Sequence, residues 1–198
     1  ITDSLGIIHP TNENGFVGFT LNMEFTFEPF SMEIQFLLKK YTDLGAEYWE
    51  RNIYDDLMAV DTNMGSFQSP STVFESQTGD FSFFGRTSLY NEELNVVLRT
   101  LFVKTDNDGN VLSAKIYYDE DSVFGPLLMT KDGGFIAANM EEILKISSSG
   151  NIDWRNQNLS GRVEETEDEG FILISRDDSS ILLTKTNYSG NIEWEKSK

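Results

Sequence analysis

Carboxylates are the residues of this sequence best placed to do chemistry. Asp and Glu number 33 against 15 Lys and Arg, with one His and no Cys. Two acids held about 5 to 10 Å apart across a cleft hydrolyse glycosidic bonds, one as acid and the other as base or nucleophile. No spacing along the chain singles out such a pair. Asp119, Glu120 and Asp121 are the first candidates, and a solvated acidic loop is the plainer reading of them. His9 is the only histidine, and no Gly-x-Ser-x-Gly elbow is present, so a serine triad has little to build on. No catalytic residue is assigned. Without thiols and with one imidazole, neither a thiolate nor a multi-histidine metal site is available. No metal and no cofactor are expected.

Two acidic stretches invite a cation. Asp106-Asn107-Asp108-Gly109-Asn110 has the opening of a calcium loop, but Val111 stands where that loop needs Gly and Tyr117 where it needs Glu. A hairpin turn explains it more simply. Glu164-Glu165-Thr166-Glu167-Asp168-Glu169 leads into a turn and reads as a solvated face. Two Asn-x-Ser sequons, at Asn158 and Asn187, arise readily by chance in an Asn-rich chain.

The net charge of −18 repels phosphate backbones and anionic lipid, so nucleic acid is not an expected partner and direct membrane insertion is not expected. No apolar run is long enough to span a bilayer as a helix. With 39% hydrophobic and 13% aromatic residues, the 198-residue chain has material for a packed core and is expected to form one domain. It opens at Ile1 with no basic or apolar leader, which is compatible with export after cleavage.

What must position these residues is a repeat. Thr42-Asp43-Leu44-Gly45-Ala46-Glu47-Tyr48-Trp49 returns as Asp106 to Ser113, as Ser147-Ser148-Ser149-Gly150-Asn151-Ile152-Asp153-Trp154, and as Asn187-Tyr188-Ser189-Gly190-Asn191-Ile192-Glu193-Trp194. Three copies carry Trp four residues after Gly; Ser113 replaces it in the second. Each copy follows a turn-and-strand phrase (Gly15-Phe16, Asp80-Phe81, Gly134-Phe135, Gly170-Phe171) and an apolar strand ending in Lys, as in Ile143-Leu144-Lys145. Each unit therefore holds four strands, a to d. In the last unit these are expected over 161–166, 170–176, 180–186 and 191–196. No segment shows convincing helical periodicity. The turn glycines recur at intervals of 64, 41 and 40 residues, from Gly45 to Gly109, Gly150 and Gly190. Four-stranded units near 40 residues predict an all-β, β-propeller-like fold of four blades, each with four antiparallel strands, over about 1–53, 54–117, 118–158 and 159–198.

The phrase Asp-Gly-Gly-Phe, a Leu-Lys strand, then Gly-Asn-Ile-Asp/Glu-Trp resembles the β-propeller repeats of exported bacterial proteins, most clearly in units three and four. The Gly-x-x-x-Trp spacing is similar to the tryptophan-docking motif of quinoprotein-type propellers. That resemblance implies that Trp49, Trp154 and Trp194 are wedges between neighbouring blades, and that the protein is extracellular, periplasmic or on the cell surface. It implies a shape and no particular activity.

Strand parity points to a binding face. In an up-and-down sheet the a–b and c–d turns share one end, and these are the short repeated turns. The extra residues gather at the other end, in the b–c and d–a connections of units one and two. They bring Phe25, Phe27 and Phe30 within 22–34, Tyr54, Asp55 and Asp56 within 54–71, Tyr90 within 88–97, and Tyr118, Asp119, Glu120 and Asp121 within 117–126. Insertions on one face of a repeat protein often mark where it binds. Aromatic rings with carboxylates suit a glycan or a protein partner. The expectation is a non-catalytic binding or scaffold module. The alternative is a carbohydrate-active enzyme using the acids of that face. Four blades are the lower limit for a ring. A closed ring, a ring completed by another copy or further sequence, and an arc capped by a partner are all open. An incomplete ring exposes apolar surface, which favours a homo-oligomer or larger assembly.

Overall fold

The computed structural model describes residues 4–27, 30–60, 64–90, 95–117, 127–138, 142–177 and 180–198. Among them lie four antiparallel four-stranded sheets and one short helix. Strands β1 Ser4–Pro10, β2 Phe16–Phe27, β3 Phe30–Tyr41 and β4 Glu47–Asn52 form the first sheet. Helix α1 Tyr54–Met58 leads to β5 Met64–Glu75, β6 Phe81–Tyr90, β7 Val96–Thr105 and β8 Val111–Tyr117. The third sheet is β9 Leu127–Met129, β10 Phe135–Ala138, β11 Ile143–Ile146 and β12 Ile152–Asn156. The fourth is β13 Arg162–Glu165, β14 Phe171–Asp177, β15 Ser180–Thr186 and β16 Ile192–Ser197. In every sheet, strands adjacent in sequence are adjacent in space. The all-β, propeller-like class expected from the repeats is therefore present as four up-and-down, blade-like sheets.

The chain divides into two compact units, residues 1–123 and 124–198. In the first, alternate residues of the central strands face one core: Val17 and Phe19, Phe36 and Leu38, Phe81 and Phe83, Leu101 and Val103. Period-two alternation delivers such a row to one side of a pleated sheet. Phe19 meets Phe83 edge to face with ring centroids 4.4 Å apart. In the second unit Ile136, Ala138 and Ile143 of the third sheet pack with Leu159, Phe171 and Leu173.

Two local expectations are corrected. The sequence suggested no helix, yet Tyr54–Met58 is one. It is five residues long, too short to show a period, and it is held by burial of Leu57 and of Ile53 at its N-cap. Asp55 and Asp56 in its first turn suit the helix dipole. The stretch 22–34 is also less a loop than a hairpin. β2 and β3 pair continuously from Phe16↔Tyr41 to Phe27↔Phe30. β1 covers β2 only up to Leu21, and β4 covers β3 only from Leu37. Among the described residues, 22–27 and 30–35 thus run on as a two-stranded ribbon beyond both flanking strands.

Candidate functional site

Each of the four sheets carries the same device at its short-turn end. In each c–d turn the Gly amide donates to the carbonyl three residues back, as in Gly45 to Thr42 and Gly190 to Asn187, both at 3.0 Å. The glycines Gly45, Gly109, Gly150 and Gly190 have φ of 79°, 80°, 81° and 75°, the left-handed region a Cβ disfavours. The residue opening the turn, Thr42, Asp106, Ser147 or Asn187, accepts from the amide four residues on. Asp106 accepts from Asp108 and Asn110 amides and from the Asn110 side chain, which together hold its carboxyl below the usual range. Its oxygens are spent on the turn, as the hairpin reading requires.

Each turn places a bulge in the register, between Lys40 and Tyr41, Lys104 and Thr105, Lys145 and Ile146, and Lys185 and Thr186. The extra residue of each bulge is on the fourth strand, Tyr48, Leu112, Asp153 or Glu193, just beyond a three-residue hairpin loop that ends in the positive-φ glycine. It sets Lys40 opposite Trp49, Lys145 opposite Trp154 and Lys185 opposite Trp194.

Two indoles then reach across to the next sheet. Trp49 Nε1 donates to the Asn107 carbonyl at 3.1 Å, and a Cβ at Gly109 would stand 2.7 Å from its ring. Trp154 Nε1 donates to the Tyr188 carbonyl at 3.1 Å, and a Cβ at Gly190 would stand 2.8 Å from its ring. Asn107 and Tyr188 occupy the same place in the repeat, two residues before Gly. Each indole also meets an aromatic ring of the next sheet edge to face, Phe81 at 6.3 Å and Phe171 at 5.9 Å. The Gly thus answers two demands at once, a positive φ and room for an indole. Trp194, the third expected wedge, sits on β16 at the same register and is 38% exposed.

The lysines beside these indoles were visible only as strand endings in the sequence. Lys145 is 1% exposed; its ammonium lies 2.8 Å from Asp132 in the preceding a–b turn and 3.9 Å from Asp153 on β12. Lys185 repeats this with Asp168 at 3.0 Å and Glu193 at 3.2 Å. Lys40 bonds Glu13 and Asn107. Burial pushes the Asp132 carboxyl up, but Lys145, the Thr130 hydroxyl and the Gly134 amide outweigh it and hold it at about 2. Thr166 and then Lys185 lower Asp168 to about 2 as well. A buried ammonium is tolerable because two carboxylates face it. Such pairs perform a structural task here and leave no free base or acid.

Two of the molecule's clefts are lined by described residues. One, about 260 Å³, is on the short-turn end of the first sheet, lined by Thr11, Glu13, Lys40, Thr42, Asp43 and Tyr48 among others. The other, about 300 Å³, lies between the third and fourth sheets at the opposite end, with Leu127, Leu128, Ala138, Arg162, Val163 and Glu164 in its wall. Among the described residues no group of three or more His, Cys, Asp or Glu could hold a metal ion. Among the described residues no helix is long and apolar enough to cross a membrane.

The residues expected to bind are placed as follows. Phe25 and Phe27 are on β2 and Phe30 on β3, in the ribbon, with Phe27 opposite Phe30 and Phe25 opposite Met32. Tyr54, Asp55 and Asp56 are on α1; both acids are exposed, and the Tyr54 ring stacks on Phe36 at 5.8 Å. Tyr90 ends β6 opposite Val96. Tyr118, Asp119, Glu120 and Asp121 lie outside the described residues.

No family model and no curated protein matches the chain. Among solved structures, it is similar to the crystal structure of a protein of unknown function from Bacteroides caccae, with 12% identity and a TM-score of 0.45 over 98% of this chain and 73% of that one.

Proposed function

We propose that this chain is a non-catalytic binding or scaffold module of the exported bacterial β-propeller repeat type, with tryptophan-docked blades like those of quinoprotein-type propellers. On this reading it works outside the cytoplasm and takes a protein or glycan partner at the end where sheets one and two are extended.

One observation supports this most. The β2–β3 ribbon projects beyond its flanking strands, and its register puts Met23, Phe25, Phe27, Phe30, Met32 and Ile34 on one face and Glu24, Thr26, Ser31 and Glu33 on the other. In an antiparallel pair, opposed residues share a face and alternate residues change it. A sheet needs no such extension to pack its core, and the third and fourth sheets do without it. Aromatic residue types recurring in alternation along a strand pair suit a partner that stacks on rings or adds a strand.

Replacing residues 24–33 by Asn-Gly closes the hairpin at Met23 and Ile34 with a favoured two-residue turn. The shortened protein should keep its circular dichroism and lose the partner that the intact chain captures on a glycan array or from source cells. Unchanged capture would remove this face from consideration. Glycan turnover abolished by Asp119→Asn or Glu120→Gln would replace the reading with the carbohydrate-active enzyme.

A further inference from the structure

The buried lysine of the first sheet is satisfied differently from those of the third and fourth. Lys145 donates to both oxygens of Asp132 and to the Ile146 carbonyl, with Asp153 at 3.9 Å. Lys185 has Asp168 at 3.0 Å, Glu193 at 3.2 Å and the Thr186 carbonyl at 2.8 Å. In the first sheet Glu13 takes the place of Asp132, and Tyr48, the extra residue of the bulge, takes that of Asp153. Lys40 therefore meets one carboxylate at 3.1 Å, the Asn107 amide oxygen at 2.8 Å, and the Tyr48 ring at 5.8 Å. An ammonium has three N–H donors. Among the described residues, Lys40 spends two, although it is only 4% exposed.

The cleft of about 260 Å³ opens where the second carboxylate is missing, with Lys40, Glu13, Asp43 and Tyr48 in its wall. Thr11 and Thr42 line it too; their oxygens accept from the Gly15 and Ala46 amides, which leaves each hydroxyl proton free to donate. Tyr48 is 69% exposed. Asp153 and Glu193 are exposed at the same place, one with the following sheet of its unit docked and the other with the preceding sheet docked. Exposure there belongs to the turn itself.

The charges select the ligand. An anion would meet Glu13 and Asp43, and a cation would meet Lys40. A neutral ligand rich in hydroxyls meets neither objection, because each hydroxyl both donates and accepts. Pockets for drug-sized ligands run from about 300 to 1,000 Å³, so this one suits a single small unit. We propose that the short-turn end of the first sheet is a subsite for one neutral sugar residue. Its C–H face packs on the Tyr48 ring; one hydroxyl accepts the third Lys40 N–H, and its neighbours donate to Asp43 and Glu13. The site is at the opposite end of the sheet from the β2–β3 ribbon and does not depend on it.

Saturation-transfer nuclear magnetic resonance on the 198-residue chain tests this, with the methyl glycosides of glucose, galactose, mannose and N-acetylglucosamine, and with glycine as a zwitterionic competitor. At least one glycoside should bind saturably, with transfer strongest to the C–H protons of one ring face. Tyr48→Asp supplies the second carboxylate that the third sheet has, so circular dichroism should stay unchanged. Tyr48→Asp and Tyr48→Ala should each weaken binding about tenfold, in line with loss of a central aromatic anchor. Tyr48→Phe keeps the ring and should hold affinity within about twofold. The chain with residues 24–33 replaced by Asn-Gly should bind as the intact chain does. No binding by any of the glycosides overturns the proposal. So does tighter binding of glycine than of every glycoside, binding that survives both Tyr48→Asp and Tyr48→Ala, or binding lost with the ribbon.

Discussion

Alanine substitution at two turn glycines separates backbone strain from indole docking. Gly45 and Gly109 have φ of 79° and 80° in turns of the same design, within the same compact unit. A Cβ in the left-handed region costs about 1 to 2 kcal/mol, partly offset by the stiffer unfolded chain, so each loses about 1 kcal/mol from this source. Gly45→Ala should stop there, because the new methyl meets open space. Gly109→Ala puts its methyl 2.7 Å from two ring carbons of Trp49 and 3.0 Å from Arg51 Cγ. The indole must leave, with its bond to the Asn107 carbonyl and part of its burial; Trp49 is 9% exposed. The bond is worth about 1 kcal/mol, and truncating a buried Trp outright costs about 3 to 5. Losing roughly half of that contact brings the total for Gly109→Ala to about 3 kcal/mol. Urea unfolding of dilute protein, followed by far-ultraviolet circular dichroism, should place the two midpoints about 1 M apart at a slope near 2 kcal/mol/M. In a Trp49→Ala background the clash is gone, so Gly109→Ala should again cost only about 1 kcal/mol, a strongly non-additive cycle. Equal destabilisation by both glycine substitutions, within about 0.5 kcal/mol, would refute the docking argument.

Three further outcomes are expected. Lys145→Met keeps the buried stem but strips the charge from between Asp132 and Asp153; because both acids can reach water, it should cost about 2 kcal/mol by chemical denaturation, against less than about 1 for Lys104→Met, whose ammonium is 3.8 Å from Asp80 and partly exposed. The Asp132 carboxyl is held at about 2 in the fold against an ordinary value of 3.8, so its ion pair stabilises fully above about pH 4 and fades as pH falls towards 2. With Asp132 40% exposed, the loss should be about 1 kcal/mol after screening, read from unfolding at stepped pH, and absent in Asp132→Asn. Glu169 has φ of 64° at a turn position where Gly79 and Gly133 stand in other repeats; Glu169→Gly should raise stability by about 0.5 to 1 kcal/mol in the same assay.

The sequence displayed what repeats and turn chemistry can encode. Gly announced each c–d turn, with Asn after it in three of the four, and the spacing of the repeats set four sheets of four strands; β15 begins and ends where the pattern placed it, at Ser180 and Thr186. What escaped depended on neighbours in space. Lys145 closes an apolar strand and reads as a solvated end, because Asp132 lies thirteen residues away and only the hairpin brings it to 2.8 Å. The alternation Met23, Phe25, Phe27 was present in the letters, but a frame of short strands made it look like an insertion, whereas pairing with Phe30, Met32 and Ile34 makes it strand. Helix α1 depends on burial of Leu57, which no local pattern of five residues reveals. Gly45 and Gly109 carry the same signature, yet one faces an indole and the other open space.

Hydrogen exchange at the indole N–H groups, followed by nuclear magnetic resonance, probes the sheet-to-sheet latch most directly. Trp49 and Trp154 each donate to a carbonyl of the next sheet at 3.1 Å. Both should exchange as slowly as strand amides at every protein concentration, because opening requires two sheets to part. Exchange of either indole at the rate of free tryptophan would contradict a fold built from sheets latched side by side.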